Sequence, residues 1–408
     1  MFLSPLISYS ILIFLSPYLI RELGIEAWGI WSTIQVIGIF TGQAILFRLE
    51  NVQIFRDVSD EEIYRISSVL TVITTLVFGI SILTIFWSIL FSTVLNLMTI
   101  SILFTFYQVS NARTGNTRKY ILNTLYYIPI IQVSMLSLSL AGFAANFVML
   151  GATVVSTGLL ILNNIANPMS NVRNLKSNLK QMISTINSHK AKILNSNATL
   201  WLNFIRMRAV LILLSASGEL TTVGIWLALE RLAFTANNAI TQALRPYFIN
   251  NTGNKTKLSI FLKKAFIFQM ILSAIIFITF FIDIPSLYIG ISNEETNTIW
   301  GMVLILSGFT AILNFCDKAF EVTGHQFLAR NVEIMSSILV FLLIGLNLIG
   351  SLPLSDMLFY YFFIQLVSLG TWNLFILRLD TFDNISKAPI YVCFSVYFAL
   401  TFMVLGKI

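Results

Sequence analysis

Long apolar runs separated by short polar segments dominate the pattern along this chain. A helix needs about 20 apolar residues to cross the hydrocarbon core of a membrane, and the chain contains thirteen such runs. They cover 2–20, 27–49, 66–90, 92–112, 120–141, 143–164, 199–217, 221–247, 264–283, 297–320, 331–350, 354–377 and 389–406. Because the runs are continuously apolar rather than alternating, they favour helices over barrel strands. The pattern predicts an all-α polytopic membrane protein with about 12–13 transmembrane helices.

Lysine and arginine residues are distributed unevenly between the loops that join these helices. The even-numbered loops hold 19 of them, whereas the odd-numbered loops hold only Arg21. Cytoplasmic loops of membrane proteins are enriched in lysine and arginine. The even loops are therefore predicted to be cytoplasmic, and the N-terminus to start inside. A missed or extra helix would disturb this alternation downstream, so its persistence supports the predicted set of helices.

The composition agrees with a membrane protein and offers few groups for catalysis. Hydrophobic residues make up 57% of the chain and charged residues 11%, against about 25% charged residues in soluble domains. Cys316 and Cys393 lie inside apolar runs, and His189 and His325 lie in separate polar loops. This distribution contains no disulfide framework and no zinc spacing. We expect neither a metal nor another cofactor, and no phosphate-cradling loop indicates ATP as the driving force.

Two further observations concern the ends and the charge of the chain. The first apolar run lacks a basic leader and a small-residue cleavage site, so it is predicted to be the first span rather than a removed signal. The net charge is +7, and its concentration in the predicted cytoplasmic loops indicates contact with the membrane surface. No nucleic-acid partner is predicted.

The longest polar stretch, residues 165–198, divides the chain. It places Leu175, Leu179, Met182 and Ile186 at helical spacing, with lysine and asparagine residues opposite. This pattern predicts an amphipathic helix on the inner leaflet, and a connector between two bundles is compatible with it. The predicted domains are an N-terminal six-helix bundle (1–164), a cytoplasmic amphipathic linker (165–198), a C-terminal six-helix bundle (199–378) and an extra C-terminal helix (379–408).

Two short signatures occur in both halves at matching positions. "GIEAWGIW" (Gly24 to Trp31) precedes the second predicted helix, and "GELTTVGIW" (Gly218 to Trp226) precedes the eighth. Thr114-Gly115 and Thr323-Gly324 follow the fourth and tenth helices, near basic residues. Both halves begin inside and have six helices. The sequence therefore predicts two bundles related as parallel repeats about an axis along the membrane normal.

Three segments resemble one family of transporters. "PYLIRELGIEAWGIW" (Pro17 to Trp31) resembles the first hairpin of the polysaccharide-export flippases of the multidrug/oligosaccharidyl-lipid/polysaccharide exporter superfamily, with Trp28 in place of the usual tyrosine. "TVGIWLALERLAFTANNAITQALRPYF" (Thr222 to Phe248) resembles the eighth helix of that family, which ends in a proline like Pro246. "IPSLYIGISNEE" resembles its outer loop after helix 9. The resemblance covers helices 1 to 12, and the missing leader and the thirteenth helix depart from the family pattern.

This resemblance implies a function and its partners. The family is one of inner-membrane flippases for undecaprenyl-pyrophosphate-linked oligosaccharides, such as an O-antigen or capsule unit used in lipopolysaccharide or polysaccharide biosynthesis. It implies a transporter rather than an enzyme, located in the bacterial inner membrane. It also implies as partners the lipid-linked oligosaccharide, the lipid bilayer, a polysaccharide polymerase and a chain-length regulator.

Four charged residues are predicted to lie near the middle of the membrane. Arg206 and Arg208 precede the outer turn at Glu219, and Glu230 and Arg231 follow it. A rise of 1.5 Å per residue places all four about 16–20 Å from the outer end, where a charge must face the bundle interior or a wet cavity. Arg48 lies about 30 Å from the outer surface. It is predicted to snorkel at the cytoplasmic edge or to act as a cation at the inner mouth.

These charges indicate which substrate class the cavity favours. Glu230 with one arginine forms a structural clasp in one interpretation, which leaves two arginines over. Arg206 and Arg208 are two residues apart, so they cannot face one partner. With one midplane acid counted, the excess of arginine favours an anionic substrate, because guanidinium groups match phosphate oxygens. The candidate substrate-binding residues are Arg206, Arg208, Glu230, Arg231 and Arg48, around a central cationic cavity that works by alternating access.

Three alternatives stay open at this point. A membrane-embedded oligosaccharide polymerase or ligase has a similar size, but such enzymes usually carry a large outer loop with catalytic residues. Here the longest outer loop, about 284–296, has the acids Glu294 and Glu295 but no arginine or histidine. A multidrug exporter of the same superfamily would need acids in the cavity. No feature of the chain specifically supports a membrane scaffold without transport activity.

Overall fold

Every regular element among the residues that the structure describes is a helix. The structure is a computed structural model, and it describes residues 3–46, 49–53, 58–164, 175–251, 282–291, 293–323, 326–350 and 352–376, with isolated positions between 260 and 278. The described helices are α1 (Leu3–Leu23), α2 (Ile25–Ile45), α3 (Leu49–Val52), α4 (Asp60–Thr84), α5 (Ile89–Arg113), α6 (Thr117–Leu140), α7 (Ala145–Asn164), α8 (Leu175–Ser188), α9 (Lys190–Ala216), α10 (Leu220–Asn251), α11 (Ile284–Ile289), α12 (Glu294–Thr323), α13 (Gln326–Leu348) and α14 (Leu354–Ile376).

Seven of these helices are long and apolar enough to cross a membrane. They are α1, α4, α5, α6, α7, α9 from Ile193 and α13 from Arg330. The chain is thus an all-α multi-pass membrane protein, as the apolar runs predict. The predicted run 264–283 falls largely, and the C-terminal helix over 379–408 wholly, outside the described residues. The total of 12–13 spans, the orientation and the two-bundle repeat stay predictions.

The chain forms two compact units. The first contains residues 1–197 together with 242–249, and the second contains 198–241 together with 250–408. In the first unit α5 is the central helix, because it contacts α2, α4, α6 and α7. In the second unit α14 contacts both α12 and α13. Residues 165–174 of the predicted linker lie outside the described part of the chain, and residues 175–188 form α8, a helix as predicted.

A glycine allows α2 and α5 to approach closely in the first unit. A Cβ atom built on Gly42 would lie 2.5 Å from the carbonyl oxygen of Met98 and 2.9 Å from the Cβ of Ser101. One turn away, the hydroxyl of Ser101 donates to the carbonyl of Ile39 at 2.9 Å. Small residues at such contacts let helix backbones pack without a separating side chain, which is a common basis of helix association in membranes.

The two tryptophan-containing signatures have similar local structures. Gly24 separates α1 from α2 with a φ of 83°, and Gly218 lies in the turn before α10 with a φ of 94°. Both values are in the left-handed region that glycine adopts at little cost. The tryptophans that follow, Trp31 and Trp226, are buried. In the other signature, Thr114 caps the end of α5, whereas Gly324 lies outside the described residues.

Candidate functional site

Two arginines on α9, both in the second unit, bind different carboxylates. Arg206 pairs with Glu333 on α13, and Arg208 pairs with Glu230 on α10. Residues two apart on a helix point about 200° away from each other, so neighbouring positions of α9 reach opposite helices. The prediction that Arg206 and Arg208 cannot share one partner is confirmed.

Arg206 lies in a sealed polar cluster. Its Nε donates to Glu333 Oε2 at 2.8 Å, and its Nη2 donates to Glu333 Oε1 at 3.2 Å and to Asn203 Oδ1 at 2.8 Å. Its Nη1 donates to the side chain of Gln365, whose amide nitrogen donates back to the Arg206 carbonyl. The side chains of Arg206 and Glu333 are each only 2% exposed.

A tryptophan completes the cluster around the Glu333 carboxylate. Trp372 Nε1 donates to Glu333 Oε1 at 2.9 Å. The carboxylate is therefore held by a guanidinium and an indole, while its partner arginine also bonds two amide oxygens. Buried charges are tolerated where each is paired and hydrogen-bonded in this way. The arrangement joins α9, α13 and α14 and is suited to holding helices together.

Arg208 and Glu230 form a more accessible pair. Arg208 Nη1 lies 2.6 Å from Glu230 Oε2, and Nη2 lies 2.6 Å from Glu230 Oε1. This is the two-point geometry by which a guanidinium binds a carboxylate or a phosphate. The Arg208 side chain is 22% exposed and that of Glu230 is 10% exposed. The predicted clasp between the two helices that flank Glu219 is present, and its arginine is Arg208.

Glu230 also lines a cavity inside the second unit. This pocket has room for about one water molecule, and its walls include Trp226, Phe234, Tyr361 and Gln365. The ring centroids of Trp226 and Tyr361 lie 5.6 Å apart. Pockets for drug-sized ligands are far larger, about 300–1,000 Å³, so this pocket as it stands cannot hold an oligosaccharide. Its walls are largely apolar, with Glu230 as the charged group.

The remaining predicted site residues are less informative. Arg231 is partly buried next to Glu230 on α10. Arg48 lies outside the described residues, so its position at the inner mouth stays a prediction. Binding of substrate by any of the five predicted residues also stays a prediction.

Glu333 is a second buried acid that the sequence analysis missed. The count of one midplane acid omits Glu333, which pairs with Arg206. Glu333 lies near the start of an apolar run, so it resembles a residue at the membrane edge. It is nevertheless 17 residues before Gly350, about 25 Å along the helix, which is within about one turn of the predicted depth of Arg206.

Several buried polar residues join helices within each unit. Gln108 donates to Thr124 Oγ1 at 2.9 Å, and Asn123 donates to Asn164 Oδ1 at 3.2 Å. Asn237 donates to Ser307 Oγ at 3.0 Å. All three are buried. Hydrogen bonds of this kind between polar side chains help helices to pack in membranes.

Comparisons with known proteins show the fold alone. No family model matches the chain, and no curated protein matches it. A solved structure whose printed name is "protein A" aligns over 92% of this chain and 94% of that chain, with a TM-score of 0.58 and 15% sequence identity. At this identity the likeness concerns the fold and carries no information about substrate.

Proposed function

We propose that the chain is a flippase that moves an undecaprenyl-pyrophosphate-linked oligosaccharide across the bacterial inner membrane by alternating access. The observation that carries the proposal is the two-point ion pair between Arg208 and Glu230. It places a guanidinium, held in the geometry that also suits phosphate, on a helix of membrane-spanning length. The resemblance of Pro17 to Trp31 and of Thr222 to Phe248 to the export flippases supports the same substrate class.

The two ion pairs of α9 have different roles in this proposal. Arg206 has its donors engaged by Glu333, Gln365 and Asn203, so we assign it to holding the second unit together. Arg208 is more exposed, and its donors face one carboxylate. A pyrophosphate oxygen would bind Arg208 by displacing Glu230, so the positive charge becomes available when substrate arrives. In this proposal Glu230 neutralises Arg208 until the substrate binds, whereas the sequence alone suggests arginines that are unpaired before the substrate arrives.

Transport by the purified chain tests the proposal. The full chain is reconstituted in liposomes with a fluorescent polyprenyl-pyrophosphate oligosaccharide, and the inward-facing fraction is followed with an impermeant quencher. We expect Arg208→Gln to lower the rate by about tenfold to a hundredfold, because a hydrogen bond to a charged group contributes about 1.5–3 kcal/mol. The double variant Arg208→Gln with Glu230→Gln keeps the helices paired without charge, and we expect it to fold but to transport as slowly.

Deletion in the host separates this proposal from the polymerase. A flippase deletion accumulates lipid-linked repeat units on the inner leaflet. A polymerase deletion instead leaves complete single units on the outer side, unpolymerised. Finding units outside in the deletion strain would replace the flippase proposal with the polymerase or ligase.

One observation favours a second candidate, a multidrug exporter. The pocket beside Glu230 is lined by Trp226, Phe234 and Tyr361, and aromatic rings beside a carboxylate would attract a lipophilic cation if the pocket widens and Glu230 leaves Arg208. The same liposomes can be loaded with a fluorescent lipophilic cation. Export of the cation that is lost in Glu230→Gln, with no movement of the pyrophosphate lipid, would favour this candidate.

A further inference from the structure

The helix α8 is attached to the first unit by polar contacts. It contacts α4, and three side-chain pairs connect the two helices. The pairs are Asn178–Ser68 at 3.2 Å, Gln181–Arg65, and Thr185–Glu62 at 3.3 Å. Residue numbers rise along α8 as they fall along α4, so the two helices run antiparallel. α8 therefore lies alongside the first turns of α4.

This attachment leaves apolar side chains of α8 uncovered. Asn178 and Thr185, on the attached face, are buried, whereas Leu179 is 40% exposed and Ile183 is 49% exposed. An amphipathic helix on a soluble protein normally turns its apolar face toward the core and its polar face outward. At these positions α8 does the opposite. Its exposed apolar side chains therefore need an apolar environment in place of water.

The charged residues of α8 itself are all of one sign. Lys176 and Lys180 are exposed and are separated by four residues, so they share one side of the helix. No aspartate or glutamate occurs between Leu175 and Ser188. Lysines that border an apolar flank are typical of helices that lie at the boundary between lipid headgroups and acyl chains. The complementary partner is a surface of anionic headgroups, which attract basic residues close to the membrane.

The position of α8 along α4 also indicates the membrane boundary. Gln181 bonds Arg65, which immediately follows Tyr64. Tyr64 is 54% exposed and precedes the apolar part of a helix long enough to span the membrane. Tyrosine is enriched where membrane and water meet. Leu179 and Ile183 flank Gln181 by two residues on either side, so they lie within about 3 Å of its level along the helix.

We propose that α8 binds anionic phospholipid in the leaflet at the start of α4, which the charge distribution predicts to be cytoplasmic. Leu179 and Ile183 contact lipid on the side of α8 that faces away from α4, and the flexible stems of Lys176 and Lys180 let their ammonium groups reach headgroup phosphates. The bound lipid holds the linker between the two units against the first unit. This role concerns bulk phospholipid and is independent of the transported substrate.

Lipid-specific quenching of a probe on α8 tests the proposal. The full chain, with Cys316 and Cys393 replaced by serine, carries a bimane on Leu179→Cys, and a second version carries it on Ile183→Cys. Nanodiscs of phosphatidylcholine with a minor fraction of phosphatidylglycerol contain either lipid with a spin label near the headgroup. We expect spin-labelled phosphatidylglycerol to quench at least about twofold more than spin-labelled phosphatidylcholine, since each lysine near anionic lipid contributes about fivefold in affinity.

The matched variants identify the groups that carry the effect. Lys176→Gln with Lys180→Gln should bring the quenching ratio close to one while the melting temperature is unchanged, because both side chains are exposed. Arg118→Gln removes an exposed charge from the first turn of α6 and should leave the ratio unchanged. Equal quenching by the two lipids, or no quenching by either, would overturn the proposal. If the probe is shielded from solvent in native membranes but not in nanodiscs, the exposed flank of α8 binds a protein partner. That result would also overturn the proposal.

Discussion

Arg208 and Glu230 form a two-point ion pair in which both nitrogen–oxygen distances are 2.6 Å. Two residues earlier on α9, Arg206 pairs with Glu333, and each of these two side chains is only 2% exposed. One helix thus carries a sealed ion pair and a more accessible one on opposite faces. The sealed pair has the features of a structural element, and the accessible pair has the features of a binding element. Substitutions in the two pairs should therefore have different consequences.

The sealed pair should dominate the stability of the second unit. Glu333→Gln leaves the Arg206 guanidinium buried without its counter-charge, and such a change costs about 3–5 kcal/mol of unfolding free energy. The unfolding free energy of the purified chain in mild detergent, measured with increasing denaturant, checks this. Arg206→Met combined with Glu333→Leu should recover most of the loss, because apolar residues can replace a buried pair. Unchanged stability in Glu333→Gln would show that the pair does not hold these helices together.

Close packing of α2 on α5 should make Gly42 intolerant of even a methyl group. Gly42→Ala places a Cβ 2.5 Å from the Met98 carbonyl oxygen, and we expect a loss of about 1–3 kcal/mol, as for other overpacked contacts. Gly79, on the exposed side of α4, has no atom within 4 Å of an added Cβ. Gly79→Ala should therefore be neutral or stabilising by up to about 1 kcal/mol through helix propensity. The melting temperatures of the two variants, measured in the same detergent, check this prediction. Equal effects of the two substitutions would contradict the close packing of α2 on α5.

The amide pair between α6 and α7 should contribute to the stability of the first unit. Asn123 Oδ1 accepts from Asn163 at 2.7 Å and from Asn164 at 3.0 Å. Asn123→Leu leaves buried donors without this acceptor, and we expect a loss of about 1–3 kcal/mol. Asn146 is exposed on α7, so Asn146→Leu serves as the control and should change stability little. If Asn123→Leu with Asn164→Leu cost the sum of the two single changes, the residues would not act as a pair.

The helices were predictable from the sequence, whereas the partners of buried charges were predictable only in part. Apolar length indicates where a span begins and ends, and counting from a turn gives the depth of each charge along its helix. Depth alone brought Arg208 and Glu230 to the same level. It does not give the direction in which a side chain points relative to helices distant in sequence. For this reason Glu333, which is 127 residues from Arg206, was overlooked as its partner.

The linker helix illustrates the same limit from another direction. Hydrophobic periodicity predicted α8 and its two faces. It did not indicate a partner for the polar residues Asn178 and Thr185, which are buried against α4. Periodicity identifies chemically distinct faces but cannot assign a neighbour to each of them when polar groups are available on the adjoining helix.

The most direct test of the central claim is the rate at which the purified full chain moves a polyprenyl-pyrophosphate oligosaccharide between the leaflets of a liposome. The account predicts movement by the parent and by Arg118→Gln, and a rate about tenfold to a hundredfold lower for Arg208→Gln. Liposomes in which the folded parent moves this lipid no faster than protein-free liposomes would contradict the account. Full activity of Arg208→Gln would contradict the role of Arg208.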